Sequence, residues 1–179
     1  MAREEHLEEF VEVQIAILTV SDTRSRRDDT SGDLLEKRVI AAGHRVVARN
    51  LLRDERKAIA QQLLDWAARP DIDAIMTTGG TGLTGRDVTV EAHQDVYDKD
   101  ITAFGTMFAI VSMEKIGTSA VQSRACAGVV NGTYCFALPG SPGACADAWD
   151  RILQPQFDLA HRPCNFVEIM PRLNEHLRQ

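Results

Sequence analysis

The sequence predicts an α/β protein, a three-layer α/β/α sandwich on a mixed but mostly parallel sheet. Short apolar runs rich in β-branched residues alternate with segments of helical periodicity, which is typical of successive βαβ units. Asn131-Gly132 stands between two apolar runs and predicts one antiparallel hairpin strand, because both turn positions need positive φ. The 179 residues suit one domain with a sizeable core, and no repeat or linker divides them.

The first half of the chain predicts three strands separated by two helices. In order these are a strand at 14–20, a helix at about 33–42, a strand at 44–52, a helix at 55–68 and a strand at 73–78. Thr30-Ser31 is expected to cap the first helix, because hydroxyl side chains bind the free amides at a helix start, and Gly43 to end it. Asp54 is well placed to cap the second helix.

The second half adds further helices and the hairpin. One helix is predicted to start near Thr89, another to span 103–115, and the hairpin to occupy 129–136. Ser141-Pro142 predicts the start of a long helix, because serine caps a helix and proline is tolerated in its first turn. Asp98 and Asp100 lie in a polar segment with no strand pattern. We expect the domain to span 13–166, with tails at 1–12 and 167–179.

Composition narrows the classes of function. The formal net charge of −6, with acidic and basic residues mixed, argues against binding nucleic acid, which needs a basic face. No apolar run approaches the roughly 20 residues of a membrane helix, and no signal peptide is evident, so a cytoplasmic protein without membrane contact is expected. The four cysteines lack zinc-site spacing and are expected to be buried small hydrophobes. Small molecules and further copies of the chain are the expected partners.

Three loops of unusual composition follow predicted strands. They are the Ser-Asp-Thr-Arg loop at 21–24, the glycine-rich loop at 79–87 and the Leu-Pro-Gly-Ser-Pro-Gly loop at 138–143. In open α/β sheets, ligands bind beyond the carboxyl ends of the strands. Glycines let the backbone approach a phosphate, and successive amides can form an anion-binding nest. A lone glycine turn is more often structural, but the three loops together predict a site for a phosphate-bearing ligand.

The glycine-rich loop also matches a dinucleotide-binding pattern. Residues 80–85 read Gly-Thr-Gly-Leu-Thr-Gly, so an unrelated nucleotide-binding domain is one alternative. However, Arg86-Asp87 stands where the helix of that motif should already run. The motif also expects an acidic residue at the end of a strand about 20 positions later, and Asp98 and Asp100, which are near that distance, show no strand pattern. No lysine follows the glycines either, so a P-loop is not indicated.

Two carboxylates, Asp54 and Asp87, each follow an apolar strand or its loop and should lie on the same rim of the sheet. Carboxylates that converge on phosphates suit Mg²⁺, which takes few protein ligands and completes its shell with phosphate oxygens and water. Two simpler interpretations stay open, namely Asp54 as a helix cap and Asp87 as the ion-pair partner of Arg86. The arginines within 24–27 are either solvated or fold over the site to hold a triphosphate.

Six motifs occur in a fixed order along nearly the whole chain, from about 14 to 166. They are Ile15–Asp22 (IAILTVSD), Asp29–Gly32 (DTSG), Gly79–Gly82 (GGTG), Arg86-Asp87, Ser123-Arg124-Ala125 and Leu138–Pro142 (LPGSP). In this order they resemble the MoaB/MogA family of molybdenum cofactor biosynthesis proteins. The ending Arg162–Phe166 resembles the MoaB branch more than MogA.

The resemblance implies a molybdopterin-binding α/β domain that assembles as a trimer or hexamer, with a molybdate-insertion protein as a further candidate partner. In the catalytic members, molybdopterin is adenylylated by Mg²⁺-ATP before molybdate is inserted. Two aspartates are essential there, and they correspond to Asp54 and Asp87 as catalytic and metal-binding residues. The expected contacts to the ligand are made by loop residues, namely Ser21, Asp22, Gly79, Gly80, Thr81, Gly82, Arg86, Ser123, Pro139, Gly140, Ser141 and Pro142.

Three positions depart from the family pattern. Val90 replaces a proline that commonly follows Asp-Val-Thr, and Thr106 and Ala109 stand where an acidic residue and an arginine are common. If those charges normally engage the ligand or a neighbouring subunit, that contact is missing here. A molybdopterin-binding carrier or scaffold without catalysis is therefore an alternative to the adenylyltransferase.

Overall fold

A six-stranded sheet forms the middle of the structure, which is a computed structural model that describes residues 10–177. The strands are β1 (Gln14–Val20), β2 (Arg45–Leu52), β3 (Ala74–Thr78), β4 (Lys99–Asp100), β5 (Cys126–Val130) and β6 (Thr133–Leu138). Their order across the sheet is β2-β1-β3-β6-β5-β4. The pairs β2–β1, β1–β3 and β3–β6 are parallel, and β5 is antiparallel to both of its neighbours. The predicted mixed sheet with one antiparallel hairpin strand is confirmed.

Helices cover both faces of this sheet. The helices are α1 (Thr30–Ala41), α2 (Arg56–Ala67), α3 (Thr89–Gln94), α4 (Thr102–Ile116), α5 (Pro142–Ala148), α6 (Gln154–Gln156) and α7 (Phe166–Ile169). A π-helical turn at Trp149–Leu153 joins α5 to α6. Short 3₁₀ turns lie at Arg26–Asp28, Gly117–Gln122, Met170–Arg172 and Glu175–Leu177.

Alternate residues of β1 belong to two separate cores. Ile15 and Ile17 pack with α1, α4 and α5 on one face, whereas Ala16 and Leu18 pack with α2 and α3 on the other. Because both faces of the strand are buried, its sequence is an uninterrupted apolar run and not an alternating one. Two helical layers therefore enclose the sheet, and the predicted three-layer sandwich is confirmed.

The cap of α1 differs from the prediction. Asp29 occupies the N-cap position, and its Oδ1 accepts a hydrogen bond from the Gly32 amide at 3.0 Å, so Thr30 and Ser31 are already helical. The other carboxylate oxygen of Asp29 accepts hydrogen bonds from Thr19 Oγ1 and from Arg49, both at 2.7 Å. The aspartate is the better cap because two neighbouring strands hold its side chain in place.

Asp54 does not cap α2, which corrects a second prediction. Glu55 is at the N-cap position, and no side-chain cap bond is made there. The predicted helix bounds are otherwise within one residue of the observed ones, Arg56–Ala67. The carboxylate of Asp54 is consequently available for another role.

The hairpin is as predicted, but the segment before it contains an unpredicted strand. Asn131 and Gly132 have φ of 46° and 79°, as the tight turn between β5 and β6 requires. Lys99 and Asp100 form the edge strand β4, pairing with Val129 and Gly128 of β5. Two charged residues at a sheet edge show no hydrophobic alternation, so the sequence pattern cannot reveal such a strand.

The chain ends are described only in part. Residues 1–9 of the predicted N-terminal tail, and residues 178–179, lie outside the described residues. Near the other end, α7 packs on the domain, where Val167 is buried and the Tyr134 hydroxyl donates to the Phe166 carbonyl at 3.0 Å. None of the helices within residues 10–177 combines the length and apolar character needed to span a bilayer.

Candidate functional site

Three adjacent parallel strands, β1, β3 and β6, end at one rim of the sheet, and the loops that follow them enclose a cleft of about 720 Å³. Among the described residues that line the cleft are all the predicted site residues except Arg86. These are Ser21, Asp22, Asp54, Gly79, Gly80, Thr81, Gly82, Asp87, Ser123, Pro139, Gly140, Ser141 and Pro142. The lining also includes Arg24, Ser119 and Gln122.

Two glycines at the end of β3 are required by the backbone geometry. Gly79 and Gly80 have φ of +99° and +65°, which side-chain-bearing residues rarely adopt. A Cβ at Gly79 would lie closer than 3.0 Å to the Val20 carbonyl oxygen. At Gly80 it would lie closer than 3.0 Å to both Thr89 Oγ1 and Asp54 Oδ1. Glycine thus brings the backbone against the carboxylate of Asp54, in a place where no side chain fits.

Arg124 supports the glycine-rich loop, a role that the sequence did not assign to it. Its Nε donates to the carbonyls of Thr81 at 3.2 Å and Gly82 at 3.0 Å, and the guanidinium forms an ion pair with Glu91 on α3. Because N–H and C=O of a trans peptide point in opposite directions, Arg124 fixes the direction of the loop amides as well. Its place in the Ser123-Arg124-Ala125 motif was the one available signal.

Three carboxylates, Asp22, Asp54 and Asp87, form what we call the carboxylate wall of the cleft. Asp54 is 8% exposed, and burial together with the negative charges of Asp22 and Asp87 raises the pKa of its carboxyl. Its amide donates to Asp22 Oδ1 at 3.3 Å. This wall lies beside the starts of α2 and α3, which Asp54 and Asp87 directly precede.

Asp87 is held in place by its own loop. Its Oδ2 accepts hydrogen bonds from the Thr84 amide at 2.8 Å and from the Thr84 hydroxyl at 2.6 Å. Arg86 does not pair with Asp87, contrary to the simpler interpretation of that residue. The neighbours leave Oδ1 of Asp87 without a hydrogen bond within residues 10–177.

Arg86 lies outside the cleft lining and neutralises Asp22. Its Nε and NH2 donate to the two oxygens of Asp22 at 2.9 and 3.1 Å, and NH2 also reaches Glu55 at 3.2 Å. This bidentate contact lowers the pKa of the Asp22 carboxyl. Of the three carboxylates on the wall, Asp22 is the one whose charge is compensated by an arginine.

The donor set of the carboxylate wall fits Mg²⁺. No group of three or more His, Cys, Asp or Glu side chains in the part of the chain described here is arranged to hold a metal ion alone. Mg²⁺ does not need one, since it is commonly bound by one or two carboxylates and by phosphate oxygens. Asp54 and Asp87 repel each other, and a divalent cation between them would remove that repulsion.

The opposite side of the cleft carries a positive charge and is called here the arginine wall, formed by Arg24, Gly140 and Ser141. Arg24 NH1 donates to Ser31 Oγ on α1 at 3.0 Å and to the Gly140 carbonyl at 3.1 Å. Ser141 Oγ caps α5 by accepting from the Ala144 amide at 3.2 Å. This wall therefore lies beside the layer of α1 and α5.

Two buried hydroxyl groups at the cleft have no hydrogen-bond partner among the residues described. They are Ser123 Oγ, on the cleft lining, and Thr89 Oγ1, which lies next to Gly80 and Asp54. A buried hydroxyl without a partner is costly in free energy, and a bound ligand can supply the missing hydrogen bond. Ser123 was predicted to contact the ligand, whereas Thr89 was not.

The three departures from the family pattern lie away from the cleft lining. Val90 is buried within α3, at 6% exposure, and Thr106 and Ala109 are exposed on α4. None of the three belongs to the residues that line the cleft. Their replacement consequently removes no polar group from the site.

Comparison with known proteins agrees with this architecture. The family model described as a probable molybdopterin binding domain matches residues 16–158. Molybdenum cofactor biosynthesis protein B of Escherichia coli (strain K12) is 48% identical over 158 residues, which cover 88% of this chain and 93% of that protein. The protein of the same name from Halalkalibacterium halodurans is 44% identical over 158 residues, covering 87% and 93%.

A solved structure extends the agreement to three dimensions. A crystal structure of a molybdenum cofactor biosynthesis protein B matches with a TM-score of 0.84 at 36% identity, covering 94% of this chain and 99% of that one. The expected molybdopterin-binding domain in molybdenum cofactor biosynthesis is confirmed, and an unrelated nucleotide-binding domain is excluded. The chain belongs to the MoaB/MogA family of molybdenum cofactor biosynthesis proteins and resembles its MoaB members.

Proposed function

We propose that this protein binds molybdopterin in the cleft and transfers AMP to it from Mg²⁺-ATP. The observation that carries the proposal is the pair Asp54 and Asp87, which face one cleft and form no ion pair with a basic side chain among the described residues. Carboxylates without an ion-pair partner favour a divalent cation, and Mg²⁺ is the usual counterion of a nucleoside triphosphate. Both positions carry the aspartate that the catalytic members have, and a role in catalysis is the simplest explanation for the presence of both.

The proposed reaction is a nucleotidyl transfer, in which AMP moves from ATP to the terminal phosphate of the pterin. A terminal phosphate oxygen of the pterin forms a bond to the α-phosphorus of ATP, the bond from that phosphorus to the bridging oxygen breaks, and pyrophosphate leaves. Mg²⁺ supplies neutralisation of the phosphate charge when it is bound. Asp87, oriented by Thr84, and Asp54 would hold the metal, while the glycine-rich loop and Ser123 would bind the pterin and its phosphate. Positioning and charge neutralisation account for most of the catalysis expected of such a site.

A homo-oligomer, trimer or hexamer, is part of the proposal. α4 exposes Met107, Ile110, Met113 and Ile116, which recur every three residues along the helix. Large apolar side chains exposed together along one helix are typical of a surface that another chain covers. Sedimentation of the purified protein should give a mass at least three times that of the chain, and a monomer would contradict this part. A cytoplasmic location and a molybdate-insertion partner stay predictions.

The direct test is to incubate the protein with molybdopterin and Mg²⁺-ATP and to measure the adenylylated pterin and pyrophosphate. We expect both products with the wild type and with Asp65→Asn, an exposed carboxylate on α2 outside the cleft that serves as the matched control. Asp87→Asn should form neither product. Tight pterin binding by the wild type without any product would reject the adenylyltransferase and leave the carrier, which needs the same cleft but no turnover.

A further inference from the structure

Arg24 is the only basic residue among the described residues that line the cleft. Its side chain crosses from the loop after β1 to the loop after β6, because NH1 contacts both Ser31 Oγ and the Gly140 carbonyl. Both partners are uncharged. Within residues 10–177 Arg24 forms no ion pair, so its positive charge is placed at the cleft without a carboxylate in direct contact.

Four other arginines near these loops are in a different situation, because each of them forms an ion pair. The pairs are Arg26 with Asp29, Arg49 with Asp29, Arg86 with Asp22 and Arg124 with Glu91. Of the basic cluster within 24–27, Arg24 alone lies in the cleft lining. The sequence could not separate Arg24 from Arg26 and Arg27, since all three stand in the same polar loop.

The position of Arg24 is fixed by buried contacts beneath it. Ser21 Oγ accepts a hydrogen bond from the Arg24 amide at 3.1 Å. Ser31 is fully buried, and Asp29, 1% exposed, caps the helix to which Ser31 belongs. An arginine held in this way loses little conformational freedom when it binds a ligand, and its planar fork matches two oxygens of a phosphate.

We propose that Arg24 anchors a phosphoryl group of the substrate on the side of α1 and α5, across the cleft from Asp54 and Asp87. The inference deepens the proposed function and rests on it. Two substrates can supply the group, namely the terminal phosphate of the pterin and the phosphates of ATP, and both offer the same oxygens to the guanidinium. The arginine wall would then bind a phosphate group directly. The carboxylate wall would bind a phosphate group only through a cation that lies between the carboxylates and the phosphate.

The test measures binding by calorimetry for the full-length wild type and three variants. Arg24→Gln removes the charge but keeps an amide that can donate to Ser31 or Gly140. Arg24→Lys keeps the charge but lacks the fork. Arg27→Gln is the matched control, because Arg27 is an exposed residue of the same segment and does not line the cleft.

Each ligand answers a separate question. Molybdopterin and its dephosphorylated form report on the pterin phosphate, a non-hydrolysable ATP analogue with Mg²⁺ reports on the nucleotide, and inorganic pyrophosphate probes the anchor without pterin or nucleoside. Arg24→Gln should weaken binding of pyrophosphate and of the anchored substrate about 10- to 100-fold, the range expected for a charge-assisted hydrogen-bonded pair. Arg24→Lys should weaken binding of the same ligands less than Arg24→Gln does. Arg27→Gln should change the affinity for each ligand by less than about twofold.

The pattern across ligands identifies the source of the phosphoryl group. If it belongs to the pterin, Arg24→Gln should leave the affinity for the dephosphorylated pterin unchanged, whereas a merely structural role would weaken both forms alike. If it belongs to ATP, the loss appears with the nucleotide analogue. Wild-type affinity of Arg24→Gln for every phosphate ligand, or equal losses with the dephosphorylated pterin, would overturn the anchor and leave the proposed function intact. A wild type that binds pyrophosphate but neither substrate would instead overturn the proposed function.

Discussion

The two walls of the cleft differ in how their charges are balanced. On the carboxylate wall, Asp54 is buried against two like charges, and the pKa of its carboxyl is raised as a result. On the arginine wall, Arg24 donates hydrogen bonds to two neutral oxygens, which satisfy its N–H groups but do not neutralise its positive charge. The first wall is destabilised until a cation arrives, whereas the second is ready for an anion. The Mg²⁺-bound phosphate ligand that we propose would satisfy both conditions at once, which would account for the two signs of charge in one cleft.

The largest expected effect is on catalysis at the carboxylate wall. Asp87→Ala should lower turnover of molybdopterin and Mg²⁺-ATP by about three orders of magnitude or more, because it removes a proposed metal ligand whose orientation Thr84 fixes. Pterin affinity measured in the absence of ATP and Mg²⁺ should stay within about threefold of wild type, since the pterin is expected on other loop groups. An equal loss of turnover and of pterin affinity would place Asp87 in pterin binding and contradict the division between the walls.

A second, smaller effect concerns the backbone between the walls. Gly80→Ala should lower the free energy of unfolding by about 2–3 kcal/mol, because alanine is strained at φ +65° and its Cβ meets Thr89 and Asp54. Gly85→Ala is the matched control in the same loop, where an added Cβ meets nothing within 4 Å. Chemical denaturation of both variants measures the difference. Equal free energies of unfolding would show that Thr89 and Asp54 can move to make room for a Cβ at Gly80.

Asp54→Asn should raise stability while it lowers activity. Because burial and like charges raise the pKa of Asp54 in the fold, wild-type stability falls as pH rises from the ordinary Asp pKa of 3.8 through the raised value, and the loss is complete above it. The amide has no charge to penalise, so the variant should gain about 1 kcal/mol at pH 7 and less near pH 4. Urea denaturation at both pH values checks this, with Asp65→Asn as the exposed control. If Asp54→Asn instead lowers the free energy of unfolding, the Asp54 carboxylate would be a hydrogen-bond acceptor that stabilises the fold, and the prediction would be wrong.

The smallest expected effect is at the departures from the family pattern. Restoring the common charges with Thr106→Glu and Ala109→Arg should leave pterin affinity within about twofold, since both positions lie on the outer surface of α4 and not in the cleft. Sedimentation of the double variant should report any change in assembly. A large change in pterin affinity would show that α4 of one copy reaches the cleft of another.

Local patterns in the sequence predicted the parts of the site that depend on local chemistry. The glycines at 79–80 could be recognised because a backbone with positive φ favours glycine, and the sequence shows that residue directly. The Asn131-Gly132 turn could be recognised for the same reason. The rim that carries Asp54 and Asp87 followed from the strand order that parallel βαβ units impose. Local composition and the order of elements were enough for these features.

The contacts between distant segments could not be predicted in the same way. Arg86 was expected at the ligand, yet it pairs with Asp22, and Arg124 was given no role although it supports the glycine-rich loop. Which carboxylate an arginine contacts depends on packing between segments that are 33 to 64 residues apart here, and such contacts leave no periodic pattern in the sequence. Asp29 was missed as the cap of α1 because Thr19 and Arg49, which hold it, belong to other strands.

The order of the strands has a consequence for how the protein acquires its activity. The central strand β3 lies between β1 and β6, which are more than a hundred positions apart in the chain. Non-local parallel pairing of this kind is slow to form, because a long loop must close before any contact stabilises it. The third loop of the cleft can come into place only after β6 has paired with β3. We therefore expect a chain in which β6 has not yet paired with β3 to lack one side of the cleft and to bind its ligand more weakly than the folded domain.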